Sequence, residues 1–354
     1  MRVVSDFAGD YKDGYNSSLN IEEFSNDDVD TVFFYGIQCG IDKKLLDLHK
    51  HYRRKILLDL WSPCAFFTNP GHFNIINGFD EIYSICPFTS QWTNTQVGKK
   101  LMKYAFYPVN PQSIKPDSFN KLFDVVYAGS IISYEHIKMI DTISNFKYIF
   151  VTQDKTNKAT HINISNALKI NLTAQSKIGI VLNKLYLSNE HFINLQKYDG
   201  WGNNIAFNHV VDYAGNKSLI KWQLKRVIQH LGNLKLERIY NQFFNPVAPQ
   251  IKSRIHELAL CKTLILCQRD LWNLIEDYYL PGKEFIYFDS IDDLNTIIPA
   301  ILDEYDSYKD VIENAYKKAR CFTTGNLVAL IQSGNEFSRN YSDTFLTQGC
   351  PINT

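Results

Sequence analysis

The chain has 354 residues, of which 45% are hydrophobic and 21% are charged. This length predicts about two domains, and the apolar content is enough for two cores, which excludes a disordered chain and a small disulfide-stapled fold. The 37 Lys and Arg residues are matched by 37 Asp and Glu residues. Because proteins that coat nucleic acid are basic, general nucleic-acid binding is disfavoured.

The seven cysteines indicate a reducing compartment. Their number is odd, no CxxC pair occurs, and most of them lie in apolar runs, so we expect buried free thiols rather than disulfides or a zinc site. The first apolar run is too short for a signal peptide, and no apolar stretch is long enough to cross a bilayer. We therefore expect a soluble, cytoplasmic protein.

Short apolar runs alternate with longer helical patterns along the chain, which is typical of α/β proteins with mostly parallel sheets. In the first third, the predicted strands are 2–5, 31–35, 55–60 and 81–85, and the predicted helices are 42–51 and 91–101. The segment 107–116 contains three prolines in ten residues. Because proline interrupts both helices and strands, this segment is predicted to be a linker.

A second set of apolar runs follows the linker. The predicted strands are 123–127, 148–151, 178–182, 263–267 and 285–288, and the predicted helices are 253–261, 291–304 and 308–319. An insertion with its own helix, near 217–230, is predicted within 189–245. We expect two Rossmann-like domains, 1–115 and 116–325, with 326–354 packing back on the first. Since ligands bind beyond the carboxyl ends of parallel strands, the cleft between the domains is the expected site.

The segment 244–289 carries the most chemical information. A proline-containing loop leads into a predicted helix, on which Arg254 and Glu257 are three residues apart and share one face. Free amides at the helix N-terminus, with Lys252 and Arg254 beside them, suit a phosphate. Glu257, one turn further on, could accept hydrogen bonds from ribose hydroxyls. The residues alone leave open an ordinary ion pair between Arg254 and Glu257.

The order of motifs along the chain favours a ligand site over an ordinary ion pair in this segment. The helix Arg254-Ile-His-Glu-Leu-Ala-Leu-Cys261 precedes a buried strand, and the turn Leu280-Pro-Gly-Lys-Glu284 leads into a short strand and an acidic helix. This order resembles the donor-binding domain of GT-B glycosyltransferases, most closely the spore-maturation CgeB-like group. Phe123-Asp-Val-Val-Tyr-Ala-Gly-Ser130 is similar to the first strand and glycine turn of that domain. Residues 83–92 resemble the end of the group's N-terminal domain.

The resemblance implies transfer of a sugar from a nucleotide-diphosphate sugar, UDP- or GDP-linked, to a hydroxyl of a glycan, lipid-linked or protein acceptor. It implies no further cofactor. Glu257 would bind the ribose, and Arg254 and Lys252 would face the diphosphate. The full set of implied donor-binding residues is Gly129, Ser130, Lys177, Lys252, Arg254 and Glu257. The Lys283-Glu284 turn matches the family and is either structural or ligand-binding.

Two positions depart from the family pattern. Many retaining enzymes carry two glutamates around the donor loop, and the first of them would fall at Pro249, which leaves the choice between retaining and inverting chemistry open. The glycine that usually follows the helix is Lys262 here, which implies a different helix C-cap.

An inverting transferase needs a general base beside the acceptor hydroxyl. Asp59 ends a predicted strand, Asp10 and Asp13 follow the first strand, and His72 lies in Asn-Pro-Gly-His-Phe. A turn or capping role is the alternative for each of them. No DxD-type pair follows a strand, and cations with helix amides can neutralise a leaving diphosphate. We therefore predict no metal.

The segment 217–230 interleaves lysines and an arginine with apolar residues. It fits a peripheral membrane helix that serves a lipid-linked acceptor, or a packed surface helix with a solvated basic face. Two other functions stay open for the whole chain. One is a GT-B-like sugar-nucleotide epimerase, and the other is a non-catalytic protein that binds a sugar nucleotide or a partner.

Overall fold

The computed structural model describes residues 2–5, 30–35, 43–60, 62, 64, 66, 73–111, 114, 116, 119–186, 235–236, 238–240, 247–270 and 272–338. These residues divide into two compact units. The first unit holds the described residues up to 111 and those from 320 to 338, and the second holds those from 114 to 319. The chain first passes from one unit to the other between residues 113 and 114, within the proline-rich segment.

The first unit contains a five-stranded parallel sheet in the order β1-β2-β3-β4-β5. The strands are β1 (Arg2–Ser5), β2 (Thr31–Tyr35), β3 (Arg54–Asp59), β4 (Glu81–Ser84) and β5 (Met102–Tyr104). The helices among its earlier residues are α1 (Lys43–Leu48), α2 (Phe73–Ile76) and α3 (Pro87–Val97). All five residues of β2 are buried, as expected for an inner strand of a parallel sheet covered on both faces.

Helix α3 begins four residues earlier than its apolar pattern predicts. Pro87 occupies the first turn, where its missing amide costs nothing. Gly98 ends the helix with φ of 71°, and its amide bonds back to Asn94 and Thr95. Residues beyond Gly98 therefore lead into β5 instead of continuing the helix.

The second unit contains a six-stranded parallel sheet in the order β13-β12-β9-β6-β7-β8. Its strands are β6 (Phe123–Ala128), β7 (Tyr148–Thr152), β8 (His161–Ile162), β9 (Ser176–Val181), β12 (Leu264–Gln268) and β13 (Ile286–Phe288). A separate antiparallel pair joins β10 (Lys184–Tyr186) to β11 (Val247–Pro249). The helices of the unit are α4 (Tyr134–Ile143), α5 (Asn166–Ala174), α6 (Arg254–Leu260), α7 (Leu294–Asp303) and α8 (Lys309–Ala319).

The strand order of the second unit locates its binding edge. From β6 the chain builds outward through β7 and β8, and then returns to add β9, β12 and β13 on the other side. This is the Rossmann order, and the reversal between β6 and β9 opens a crevice at the carboxyl ends of these two strands. Helix α6 packs closely on the sheet at Gly179 of β9, which has no side chain. A Cβ at this position would lie only 2.1 Å from Leu258 Cδ2 of the helix.

Helix α9 (Thr324–Gln332) belongs to the first unit. The Tyr83 hydroxyl of β4 donates to the Ile331 carbonyl at 3.3 Å, and the Phe337 amide donates to the Tyr104 carbonyl at 2.8 Å. The segment after residue 320 therefore packs against the sheet of the first unit.

The predicted α/β class with parallel sheets is confirmed. Every strand predicted from an apolar run is present, with ends within two residues of the prediction. The strands that were not predicted, β5, β8, β10 and β11, have two or three residues each, too few to show a period. The helix predicted at 217–230 lies outside the described residues. Among those that are described, no helix is long and apolar enough to cross a membrane.

Candidate functional site

Gly129 and Arg254 meet at the crevice of the second unit. Gly129 directly follows β6, and a Cβ on it would lie 2.2 Å from Arg254 Nη2 and 2.7 Å from Cζ. Only a glycine lets the guanidinium approach the backbone this closely. The same guanidinium stacks on Tyr127 of β6, with Cζ 4.9 Å from the ring centroid. The structure thus holds a cation directly over the glycine turn.

Lys252 adds a second cation next to Arg254. Burial, and then the positive charge of Arg254, lower the pKa of Lys252 to about 7. Within the described part of the chain, no carboxylate forms an ion pair with either side chain. A site with two cations and no paired carboxylate favours an anionic ligand.

The sequence predicts free backbone amides at the start of α6, but two of these amides are hydrogen-bonded in the structure. The Ile255 amide donates to the Lys252 carbonyl at 3.1 Å, and the His256 amide donates to the Ser253 carbonyl at 3.0 Å. Tight hydrogen bonds within the first turn therefore already satisfy these donors. The positive character of the site comes from side chains more than from free helix amides.

His136 also belongs to this cluster, and the sequence analysis missed it. It lies in the first turn of α4, is 3% exposed, and its Nδ1 is 2.7 Å from the hydroxyl of Ser133, the N-cap of that helix. Burial lowers the pKa of His136 well below its ordinary value, and the surrounding positive charges lower it further. These charges come from Arg254, Lys252, Lys184 and Arg238.

Glu135 connects polar side chains at the carboxyl ends of three strands by hydrogen bonds. One of its oxygens accepts from Lys184 Nζ at 3.1 Å, and the other accepts from Gln268 Nε2 at 2.6 Å. Lys184 follows β9 and Gln268 ends β12, while Glu135 lies after β6. A carboxylate in the first turn of α4 is favoured by the helix dipole. No sequence motif links these residues, because they are up to 133 positions apart.

Glu257 lies one turn beyond Arg254 and faces α5. Its Oε1 accepts from Lys169 Nζ at 2.8 Å, and both side chains are about one-fifth exposed, at 21% and 24%. The ion pair of Glu257 is therefore with Lys169, whereas the sequence left open a pair with Arg254. Glu257 and Arg254 both line a small cavity of about 10 Å³ against β6 and β9.

The other donor-side candidates occupy different places. Ser130 follows Gly129 and is exposed, and its carbonyl accepts from the Tyr127 hydroxyl at 3.4 Å. Lys177 is near the amino end of β9, 3.7 Å from Asp124. Because the strands are parallel, it lies at the opposite edge of the sheet from Gly129. The structure therefore brings Gly129, Lys252 and Arg254 together, with Lys177 outside the cluster.

The Pro-Gly-Lys-Glu turn is held by its own hydrogen bonds. Gly282 has φ of 74°, and the buried Glu284 accepts from the Leu280 amide at 2.7 Å. Lys283 is exposed, and its carbonyl accepts from Asn314 Nδ2 at 3.3 Å. Of the two roles that the sequence left open, these contacts fit the structural one.

The acceptor-side candidates belong to the first unit. Asp59 ends β3 and is 0% exposed, opposite Ser84 of β4. Its negative charge, together with the larger effect of burial, raises the pKa values of the Cys64 and Cys86 thiols. Asp10, Asp13 and His72 lie outside the described residues. Within the described ranges, no group of three His, Cys, Asp or Glu side chains is placed to hold a metal ion.

Comparison with known proteins extends these observations. Residues 199–326 match a protein-family model described as "Glycosyl transferase-like", and this span includes Lys252, Arg254 and Glu257. Comparison with curated proteins finds no match. Among solved structures, a glycosyltransferase from Rickettsia africae ESF-5 is 10% identical with a TM-score of 0.51, and the alignment covers 98% of this chain and 90% of that one.

Two further structures are less similar. Anabaena HepE in complex with UDP and glucose is 12% identical, with a TM-score of 0.49 and coverage of 86% of this chain and 77% of that one. The pneumococcal O-GlcNAc transferase GtfA in complex with UDP and GlcNAc is 10% identical, with a TM-score of 0.46 and coverage of 92% and 58%. The chain therefore has the fold of GT-B glycosyltransferases, with two Rossmann-like domains, and its residues 199–326 match a glycosyl transferase-like family.

Proposed function

We propose that this chain is a glycosyltransferase that moves a sugar from a nucleotide-diphosphate sugar to an acceptor hydroxyl. The observation that carries the proposal is the placement of Arg254 over Gly129 at the reversal of strand order in the second unit, with Lys252 beside Arg254. A guanidinium can form two parallel hydrogen bonds to phosphate oxygens. The same cations would stabilise the charge that develops on the departing diphosphate.

The remaining parts of the donor have partners in the same cluster. The backbone after β6 would approach the diphosphate at Gly129, where a side chain is missing. Glu257 is held by Lys169 through Oε1, which would leave its second oxygen for a ribose hydroxyl. A UDP- or GDP-sugar, membership of the CgeB-like group and independence from a metal are parts of this proposal.

The first unit would supply the acceptor side, with Asp59, Asp13 and His72 as candidate bases. A cytoplasmic location is also proposed, and the cysteines Cys64, Cys86, Cys261 and Cys267 support it. All four are free and buried, as expected for a reducing compartment.

The donor site can be tested by calorimetric titration with UDP-, GDP-, CMP- and dTDP-sugars. Arg254→Gln removes a charge-assisted contact worth about 1.5–3 kcal/mol, so we expect the donor Kd to rise by about tenfold to a hundredfold. Lys177→Gln is the matched control, because it removes a cation from the same sheet at the opposite edge. Thermal unfolding without ligand shows whether each variant is folded.

Two results would contradict the proposal. One is a folded wild-type protein that binds none of these sugars, and the other is an equal loss of affinity in Arg254→Gln and Lys177→Gln. Release of the nucleoside diphosphate in the presence of an acceptor then distinguishes transfer from epimerisation and from binding without turnover.

A further inference from the structure

His136 is a buried histidine surrounded by positive charge. Its imidazole lies behind Tyr127, with the two ring centroids 6.1 Å apart, and Arg254 stacks on the same tyrosine. Lys184 is 3.1 Å from Glu135, the neighbour of His136 on α4. His136 is therefore close to the proposed diphosphate site without being part of its exposed surface.

The cations that lower the pKa of His136 come from three places in the second unit. Arg254 and Lys252 come from the start of α6, Lys184 from β10, and Arg238 from the segment 238–240. Glu135 is the nearby carboxylate on α4, and it is bonded to Lys184. Arg254 and Lys252 thus keep uncompensated charge among the described residues, and this charge disfavours a proton on His136.

Ser133 can support His136 in either protonation state. Its hydroxyl is 2.7 Å from Nδ1, and a hydroxyl can both donate and accept. It can donate to a neutral Nδ1, and after rotation it can accept from a protonated one. A change in protonation therefore needs no movement of heavy atoms at this contact.

We propose that His136 is a further positioning residue of the donor site, and that it takes up a proton from solvent when the diphosphate binds. This inference rests on the proposed function. The diphosphate of a sugar nucleotide carries negative charge that would offset the charge of Arg254 and Lys252. Burial is the larger cause of the lowered pKa of His136, and the positive field adds to it. The bound diphosphate would weaken this field, so that an imidazolium could form and attract the ligand.

Proton uptake makes donor affinity depend on pH. Each proton taken up strengthens binding by up to tenfold for each pH unit of acidification, because the effects of proton and ligand on each other are reciprocal. In the free protein the pKa of His136 lies well below its ordinary value, so its proton uptake would fall on the acid side of that of Lys252. Lys252, with a pKa of about 7 in the free protein, would act above pH 7. The two contributions are therefore separated in pH.

The experiment is a calorimetric titration with UDP-glucose, or with GDP-mannose where guanine is preferred, at about pH 6 in two buffers of different ionisation enthalpy. A sugar nucleotide has no phosphate monoester that titrates in this range. We expect the wild-type protein to take up protons and its Kd to fall as the pH decreases. His136→Asn should lose the acid-side uptake and flatten this dependence.

His256→Asn is the matched control. His256 is also fully buried in the second unit, with Nδ1 2.8 Å from the Tyr279 hydroxyl, but burial alone lowers its pKa, to about 3. Its replacement should leave proton uptake as in the wild type. If His136→Asn does not fold, the ring ¹⁵N shifts of His136 in the wild-type protein should move toward imidazolium values on addition of the ligand.

Three outcomes would overturn the inference. They are nucleotide binding by the wild-type protein without proton uptake, unchanged uptake in His136→Asn, and His136 ring shifts that do not respond to the ligand. In each case the proposed function stands, because donor binding is observed. Failure of the wild-type protein to bind any nucleotide sugar would overturn the proposed function as well.

Discussion

Replacing Gly129 with alanine places a methyl group where the Arg254 guanidinium now lies. The added carbon would be 2.2 Å from Nη2 and 2.7 Å from both Cζ and Nη1. Ordinary contacts between such atoms are about 3.5 Å, so the guanidinium must retreat by roughly 1 Å. The guanidinium is the end of a flexible side chain, and it can move without disturbing the core.

The expected result is a large loss of donor binding with a small loss of stability. A misplacement of about 1 Å in a binding group costs up to about a hundredfold, and we expect the donor Kd of Gly129→Ala to rise by about ten- to a hundredfold. The backbone at Gly129 has φ of 155°. An alanine there adds strain of about 1–2 kcal/mol to the free energy of folding.

Two other glycines separate these effects. Gly282→Ala introduces strain alone, since φ is 74° and, apart from its chain neighbours, no atom of the described residues lies within 4 Å of the added Cβ. Gly179→Ala places its Cβ 2.1 Å from Leu258 in the core, and overpacking should cost about 1–3 kcal/mol of stability. Urea denaturation measures the free energy of unfolding, and calorimetry measures the donor Kd. Wild-type affinity in Gly129→Ala, or an equal loss in Gly282→Ala, would refute the reasoning.

Three further predictions concern stability and reactivity. Lys121 Nζ donates to the carbonyls of Ala174 and Ser176, both at 2.9 Å. Lys121→Met removes these bonds and should lower the free energy of unfolding, measured by urea denaturation, by about 2 kcal/mol. An unchanged free energy of unfolding would contradict this. The pKa of His256 falls from 6.5 to about 3 on folding, so the unfolded state binds more protons between these values. Stability should decrease by up to about 5 kcal/mol as the pH falls through this window, and less in His256→Gln. Burial raises the pKa of the Cys64 thiol, so it should react with a thiol reagent only after denaturation; rapid reaction in the folded protein would argue against this placement.

Short, continuous apolar runs made the principal strands of both sheets predictable. Strands β2 and β12 consist entirely of buried residues, and such runs have few other stable arrangements in a protein of this composition. The short strands were missed because two or three residues carry no periodicity. The predicted position of helix α3 was wrong by four residues, because Pro87 and Gly98, rather than the apolar pattern, determine where the helix begins and ends.

The site was predictable where a local motif marked it. Arg254, Lys252 and Glu257 lie within six residues of one another, and Gly129 follows a recognisable strand. Their types and spacing alone left an ordinary ion pair open, and the order of the motifs, which resembles the donor-binding domain of GT-B glycosyltransferases, indicated a donor site. His136, Lys184 and Gln268 carry no local signal. Their contribution depends on neighbours that are distant in the chain, such as Glu135, which contacts both Lys184 and Gln268.

The sequence by itself determined the α/β class, the principal strands and the cationic helix start, because local periodicity and residue type report burial and charge directly. Only the tertiary structure decided the strand order, which places the end of β6 beside β9 and brings Arg254 onto Gly129. The same order puts Lys177 at the opposite edge of the sheet. The physical reason is that strand order depends on how the crossover connections pack in three dimensions, and a periodicity along the chain carries no information about which strands become neighbours.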